Sequence, residues 1–212
     1  KSLSKNNKKI LSNRSRIISK LQIKEKKKKV LSILPIRGLQ LNPNSLVLKK
    51  LKNKPLVFFT IDSILGSKLV NKLVITSPDD ELLKIIKKKY KNKVIIIKRP
   101  EKFGFINTEL KKTINHALKK IRAKKIRYDY IMHVSFRTPF LSTQVIDDGI
   151  NTLQLFNSDK IICVTHENHQ YYKHDGSGLK RLTRSSNLKL ERDSIYKQVM
   201  GYTITKKNFF FS

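Results

Sequence analysis

The stretch KLVITSPDDELLKIIKKKYKNKVIIIK, residues 72–98, sets two short apolar runs on either side of a segment with helical spacing. The runs Leu73–Ile75 and Val94–Ile97 are rich in β-branched residues, which suit a pleated, buried surface. Between them, PDDELLKIIKKKY reads as an amphipathic helix, with acids at its start and lysines at its end, as the helix dipole favours. Neither strand alternates with polar residues, so both are expected to be covered on two faces. A strand, a crossover helix and a second strand of these lengths make a parallel βαβ unit.

The same rhythm extends in both directions. Upstream, VLSILPI (residues 30–36) reads as a strand, and a helix begins near Pro55 in PLVFFTIDSIL. Downstream come a helix from about Thr108 to Ile121, a strand in YDYIMHVS, a helix from about Thr143 to Phe156, and a strand in DKIICVT. Residues 166–195 lose the pattern and read as an irregular excursion, after which MGYTITK returns as a final strand. The expected class is α/β, a mostly parallel sheet with helices on both faces. The domain spans residues 30–212 and follows a basic tail at residues 1–29.

Charge is the anomaly of the composition. Lys and Arg number 47 against 15 Asp and Glu, a net charge of +32 in 212 residues, while 39% hydrophobic content is enough for a packed core. A chain using lysine only for solubility would carry glutamate nearly in step. The excess points to a polyanionic partner, with phosphate backbones first and anionic lipid surfaces second. The tail holds twelve basic residues and one acid, Glu25, with Ile10, Leu11, Ile17, Ile18, Leu21 and Ile23 at spacings one helix side can gather. It reads either as a solvated arm or as a segment that folds on a partner. The RNA-contact candidates are Lys5, Lys8, Lys9, Arg14, Arg16, Lys20, Lys26, Lys27, Lys28 and Lys29 in the tail. Arg122, Lys124, Lys125 and Arg127 join them in KIRAKKIRY, and Lys180, Arg181, Arg184 and Lys189 in KRLTRSSNLKLER.

No apolar run approaches the roughly 18 residues of a membrane span. The lone Cys163 lies in an apolar strand and is expected as a packed thiol, compatible with a reducing compartment. The chain starts at Lys1, and its first residues are poor in acids and rich in Lys, Arg and Ser, a pattern compatible with import into a mitochondrial or other organellar matrix; otherwise the cytoplasm is expected. His166, His169 and His174 near Glu167 and Asp175 raise a zinc reading, but their spacing is loose and no cysteine joins them. A basic surface with Tyr171 and Tyr172 as stacking platforms, or a plain polar loop, accounts for the stretch better. No metal site is assigned. Asp79, Asp80 and Glu81 are expected to cap a helix, and Asp147 with Asp148 to lie within or beside a helix start.

The order of these pieces resembles the CMP-N-acylneuraminate synthetases among the cytidylyltransferases, over roughly residues 30 to 207. The resemblance is carried by ILPIRG, KPLVFFTIDSIL, SPDDELL, RPEKF, INHALKKI, DYIMHVSFRTPFLSTQVIDDGI and DKIICVT. It implies a Rossmann-like nucleotidyltransferase fold and, in an active member, CTP and magnesium. Members open with a pattern like P-A-R-G-G-S-K-G-I-P-x-K-N, whose glycines admit a triphosphate and whose lysines neutralise it. Held in that register, this chain keeps Arg37 and Gly38, the residual nucleotide-binding candidates. Leu39 replaces a glycine, Gln40 the serine, Leu41 the first lysine and Asn42 another glycine, while Leu46 and Val47 stand where Lys-Asn belongs.

Elsewhere, Ser135 and Leu141 fall where the family has the Gln and Arg that help hold the sugar. Lys189 and Leu190 replace an Arg-Gln pair, and Val199 and Met200 an Asn-Gly. The family's D-I-D-like magnesium segment lies beyond Ser212. A pocket lined by Leu39, Leu41, Leu46 and Val47 would not cradle a triphosphate.

The resulting expectation is a catalytically inactive member of the fold, with no catalytic residues and no cofactor. It would act as a basic RNA-binding component of a large ribonucleoprotein such as an organellar ribosome, beside ribosomal RNA and neighbouring proteins. The alternatives are an active CMP-sugar synthetase using Arg37, Lys49 and Lys50 on phosphate with Mg and CTP, and a homodimeric interaction module that holds a nucleotide without chemistry.

Overall fold

The computed structural model describes residues 28–167, 169, 171–182 and 195–211. Six strands form the central sheet: β1 (Val30–Pro35), β4 (Val70–Ser77), β5 (Ile95–Lys98), β6 (Tyr130–Val134), β7 (Lys160–Glu167) and β10 (Ile195–Lys206). Their order is β5-β4-β1-β6-β10-β7, with β10 antiparallel to both of its neighbours and the others running the same way. Among the described residues two small hairpins accompany the sheet, β2 (Lys50–Leu51) with β3 (Lys54–Pro55), and β8 (Tyr172–His174) with β9 (Leu179–Arg181). The stretch 72–98 folds as its pattern predicts, with α2 (Asp80–Tyr90) between two parallel strands.

Each parallel strand sends alternate side chains to two cores, as a sheet covered on both sides requires. Val30 and Leu34 of β1 face the cluster built with α1 (Leu56–Gly66), α2 and α4 (Thr143–Leu155), through Ile61, Ile86 and Ile150. Leu31 and Ile33 face the cluster under α3 (Leu110–Ala123), through Ile114, Ala117 and Ile121. Phe210 of the short α5 (Lys207–Phe211) packs against this second cluster.

The helices begin and end for local reasons. Asp79 caps α2, its Oδ1 accepting from the Leu82 N–H at 3.0 Å, and Ser142 caps α4 by accepting from the Val145 N–H. Before α1, Lys52 and Asn53 both take positive φ, 46° and 64°, the turn that closes a two-residue hairpin. This hairpin is not legible in KLKNK, because neither position carries glycine. Cys163 is half-buried against the first core, and its Sγ accepts from the Tyr202 N–H at 3.4 Å. Among the described residues, no helix is long and apolar enough to cross a membrane.

Candidate functional site

The strand order turns back on itself between β1 and β6: the chain passes from β1 out to β4 and β5, then returns to the other side of β1. At such a switch point the loops leaving adjacent strands diverge and open a crevice at the strands' carboxyl ends. A cleft of about 600 Å³ lies there. Its floor and walls come from Pro35 and Arg37 after β1, Asn42 and Ser45 of the following loop, His133 and Ser135–Arg137 at the end of β6, and Gln198–Thr203 of β10. The β10 wall is a bulge, since Gln198 pairs with Val164 and Thr203 with Ile162, so five steps of β10 oppose two of β7. Within the bulge, Gly201 leaves room for Cys163, whose Sγ would lie 2.8 Å from a Cβ there.

The loop after β1 is held from beneath. Gly38 has φ +82°, and a Cβ on it would stand 2.2 Å from the Asp79 side chain. Asp79, 3% exposed, accepts the Leu39 N–H on Oδ2 at 2.8 Å while its other oxygen caps α2. The first loop amide after Gly38 therefore points at a carboxylate. Arg99, equally buried, donates to the Ile36 carbonyl at 3.0 Å and the Thr76 carbonyl at 3.4 Å. Burial, with Arg37 nearby, lowers its pKa to about 10. Arg37 itself donates to the Ile106 carbonyl at 3.3 Å. His133, on the strand between the two cores, is pushed down to about 4 by burial and is neutral at neutral pH.

The expected apolar lining is corrected. None of Leu39, Leu41, Leu46 and Val47 is among the residues lining the cleft. Val47 is fully buried in the first core, and Leu41 packs against Gly104, where a Cβ would come within 2.3 Å of it. Leu39 and Leu46 are 38% and 51% exposed. The leucines thus fill the space behind the loop or face solvent, and the cleft surface is made by Arg37, Asn42 and Ser45. Ser135, Val199 and Met200 do line the cleft, whereas Leu141 packs against the first core. Sequence reasoning passed over Arg137, His133 and Gln198. Arg137 was findable, because it stands three residues past a strand of the switch point, where ligands bind in open α/β sheets.

The described residues of the cleft do not by themselves fit a magnesium ion: none of those lining it is a carboxylate, and both oxygens of Asp79 already accept main-chain N–H groups. Among the described residues no group of three or more His, Cys, Asp or Glu can hold a metal. Asp80 pairs with Lys98, and Asp147 accepts from the Ser67 hydroxyl. The three histidines of the excursion are separately engaged. His166 meets the Tyr196 ring edge-on at 5.5 Å, His169 pairs with Glu167, and His174 accepts the Gly176 N–H at 3.1 Å. Tyr172, 47% exposed, has the Arg181 guanidinium 5.7 Å from its ring centre.

The basic candidates divide. Lys28 and Lys29 enter the sheet at the amino ends of β1 and β6, opposite the cleft: the Asp129 and Tyr130 N–H groups donate to the Lys29 carbonyl, and the Lys29 N–H donates to Asp129 Oδ2 at 2.7 Å. Lys124, Lys125 and Arg127 lie on the turn between α3 and β6 at this same end, and the Lys207 N–H donates to the Asp129 carbonyl. Lys28, Lys29, Lys124, Lys125, Arg127 and Lys207 are all exposed. Arg122, at the end of α3, covers the Phe211 ring at 4.5 Å. Lys180 and Arg181 are elsewhere, on the β8–β9 hairpin, where Lys180 pairs with Asp175 at 2.5 Å. Lys5, Lys8, Lys9, Arg14, Arg16, Lys20, Lys26, Lys27, Arg184 and Lys189 lie outside the described residues, as do Leu190 and the larger part of the tail.

The architecture and the cleft at its switch point define a nucleotidyltransferase fold of the Rossmann-like type. A family model described as Cytidylyltransferase matches residues 46–204, and the chain belongs to that family. It is similar to the solved 4-diphosphocytidyl-2C-methyl-D-erythritol synthase of Anaerococcus prevotii at 14% identity and a TM-score of 0.63, over 87% of this chain and 73% of that one. It is also similar to a CMP:2-keto-3-deoxy-manno-octonic acid synthetase solved with CTP, at 11% identity and a TM-score of 0.60, over 86% of this chain and 76% of the other. At these identities the likeness is one of fold. No curated protein matches the chain.

Proposed function

We propose that the protein is a catalytically inactive cytidylyltransferase fold serving as a basic, RNA-binding structural component of a large ribonucleoprotein, of which an organellar ribosome is the foremost case. The observation that carries this reading is the cluster at the amino ends of β1 and β6. There Lys28, Lys29, Lys124, Lys125, Arg127 and Lys207 are exposed, and Asp129, the acid among them, has one carboxylate oxygen on a main-chain N–H. Such a surface gains free energy by releasing the counterions of a phosphate backbone. Inactivity is supported by the lining of the cleft. Nucleotidyl transfer concentrates charge on a departing pyrophosphate, which lysines of the loop after β1 would neutralise, and among the described residues no lysine lines the cleft. The ribosomal assignment draws on composition, on the Lys, Asn and Ile bias and the basic tail.

Two measurements test this together. The native protein is expected to sediment with RNA-containing particles and to bind RNA with an affinity that falls steeply with salt. Incubation with CTP, magnesium and an acidic sugar is expected to release no pyrophosphate. A free small species that forms a CMP conjugate overturns the proposal. A second reading, retention of a nucleotide without chemistry, is favoured by Arg37 and Arg137 lining one cleft. Saturable CTP binding without turnover would distinguish it.

A further inference from the structure

The Lys50–Pro55 hairpin and the carboxyl end of α2 are remote in sequence, yet one carboxylate joins them. Asp62 of α1 takes Lys54 Nζ on Oδ2 at 2.6 Å and the Tyr90 hydroxyl on Oδ1 at 2.8 Å. Lys89 Nζ lies 4.1 Å from the centre of the Phe58 ring, which in turn meets the Tyr90 ring edge-on. Around this bracket, KKLKNK at residues 49–54 and KIIKKKYKNK at 84–93 carry ten lysines and no acid. All but Lys54 are exposed. Apart from Lys54 on Asp62, no described carboxylate lies within ion-pair distance of any of them. The helix dipole accounts for Lys87, Lys88 and Lys89 in the last turn of α2. It does not account for Lys91 and Lys93 beyond the helix, nor for Lys49, Lys50 and Lys52 on the hairpin.

We propose that this hairpin-and-helix face is a second phosphate-backbone contact, through which the protein bridges two RNA segments. The inference rests on the RNA-binding reading above. α1 and α2 cover one face of the sheet and α3 the other, so this surface and the α3–β6 turn belong to opposite layers. Two contacts so placed engage separate segments rather than one short helix. RNA fits better than an anionic membrane. Phe58 and Tyr90 are buried beneath the lysines, Phe59 is half-buried with Lys54 Nζ 4.4 Å from its ring centre, and the apolar side chains exposed here, Leu51 and Ile85, are aliphatic, so no fully exposed aromatic ring is present to enter the lipid interface.

The test is sandwich capture by the full chain. One structured RNA is fixed to beads, a second carries a fluorophore, and the bound second RNA is measured. The variant combines Lys50→Gln, Lys52→Asn, Lys88→Gln and Lys91→Asn, the asparagines placed where φ is positive. It is expected to keep its melting temperature, to lose at least about tenfold in capture, and to lower the slope of log affinity against log salt by about 3 for four lost phosphates. Capture equal to wild type, with single-RNA binding still abolished by Lys124→Gln, Lys125→Asn and Arg127→Gln, overturns this inference alone. Absence of RNA binding by the wild type overturns both readings. Loss of binding to phosphatidylserine vesicles with RNA capture unchanged assigns the face to lipid and also overturns it.

Discussion

The two ends of the central sheet use cations in opposite ways. At the carboxyl ends of β1 and β6, Arg99 and Arg37 donate to the main-chain carbonyls of Ile36, Thr76 and Ile106. Their hydrogen bonds hold the walls of the cleft. At the amino ends, the side chains of Lys28, Lys124, Lys125, Arg127 and Lys207 are exposed and have no described acid within ion-pair distance, Lys207 lying 5.2 Å from the centre of the Tyr128 ring. One end therefore has charge built into structure, and the other has charge free to meet a ligand. In a nucleotidyltransferase fold the expectation from the switch-point rule is the reverse.

The largest expected effect tests which end binds. In a chain already carrying Lys50→Gln, Lys52→Asn, Lys88→Gln and Lys91→Asn, neutralising Lys124, Lys125, Arg127 and Lys207 together is expected to weaken RNA binding by roughly a thousandfold at 0.1 M salt, since each lost phosphate contact removes about 0.7 from the salt slope. Arg37→Gln with Arg137→Gln is expected to change it by less than about threefold. Filter binding across a salt series reads both, and the opposite ranking would move the RNA to the cleft.

The next effect concerns acid. His133 has its pKa depressed from 6.5 to about 4 in the folded chain, so the unfolded chain takes up a proton first as the pH falls. The stability this histidine contributes is complete above about pH 6.5, declines below it, and is lost by about pH 4, amounting to at most about 3 kcal/mol. Urea unfolding followed from pH 7 to pH 4 is expected to show this decline, and His133→Gln to flatten it. An unchanged profile in the variant would place the acid-sensitive group away from the cleft end.

How much of this was legible depends on whether a residue's role was local. The four strands β5, β4, β1 and β6 and their helices follow from apolar runs and caps that neighbouring residues determine. The loop from Arg37 to Pro55 does not. Leu39, Leu41, Leu46 and Val47 look like a pocket lining when counted against a glycine-rich pattern. Their destinations are set by Gly104, by the first core and by solvent, none of which is near in sequence. Arg137 and the β10 bulge likewise join the cleft only once β10 pairs with β6 and β7. Lys28, Lys29 and Arg127 were singled out by charge, but their convergence with Lys207 follows from strand order alone.

The smallest effect goes to the residue that separates the two uses of the loop. Asp79 accepts from the Leu39 N–H and the Leu82 N–H, one on each oxygen. Asparagine is as good a cap as aspartate, so Asp79→Asn keeps the Leu82 bond when its oxygen faces α2. Its amide NH₂ then faces the Leu39 N–H, donor against donor, in a part-buried place. The expected cost is about 1 kcal/mol, because a part-buried N–H loses its acceptor while the helix keeps its own. Hydrogen exchange separates this from general destabilisation. The Leu39 amide is expected to exchange faster by about tenfold or more relative to the amides of β1, while Leu82 stays protected. Equal acceleration at both amides would mean general destabilisation, with the Leu39 contact on Asp79 adding nothing of its own and the loop after Gly38 held in place by Leu41 and Arg99 instead.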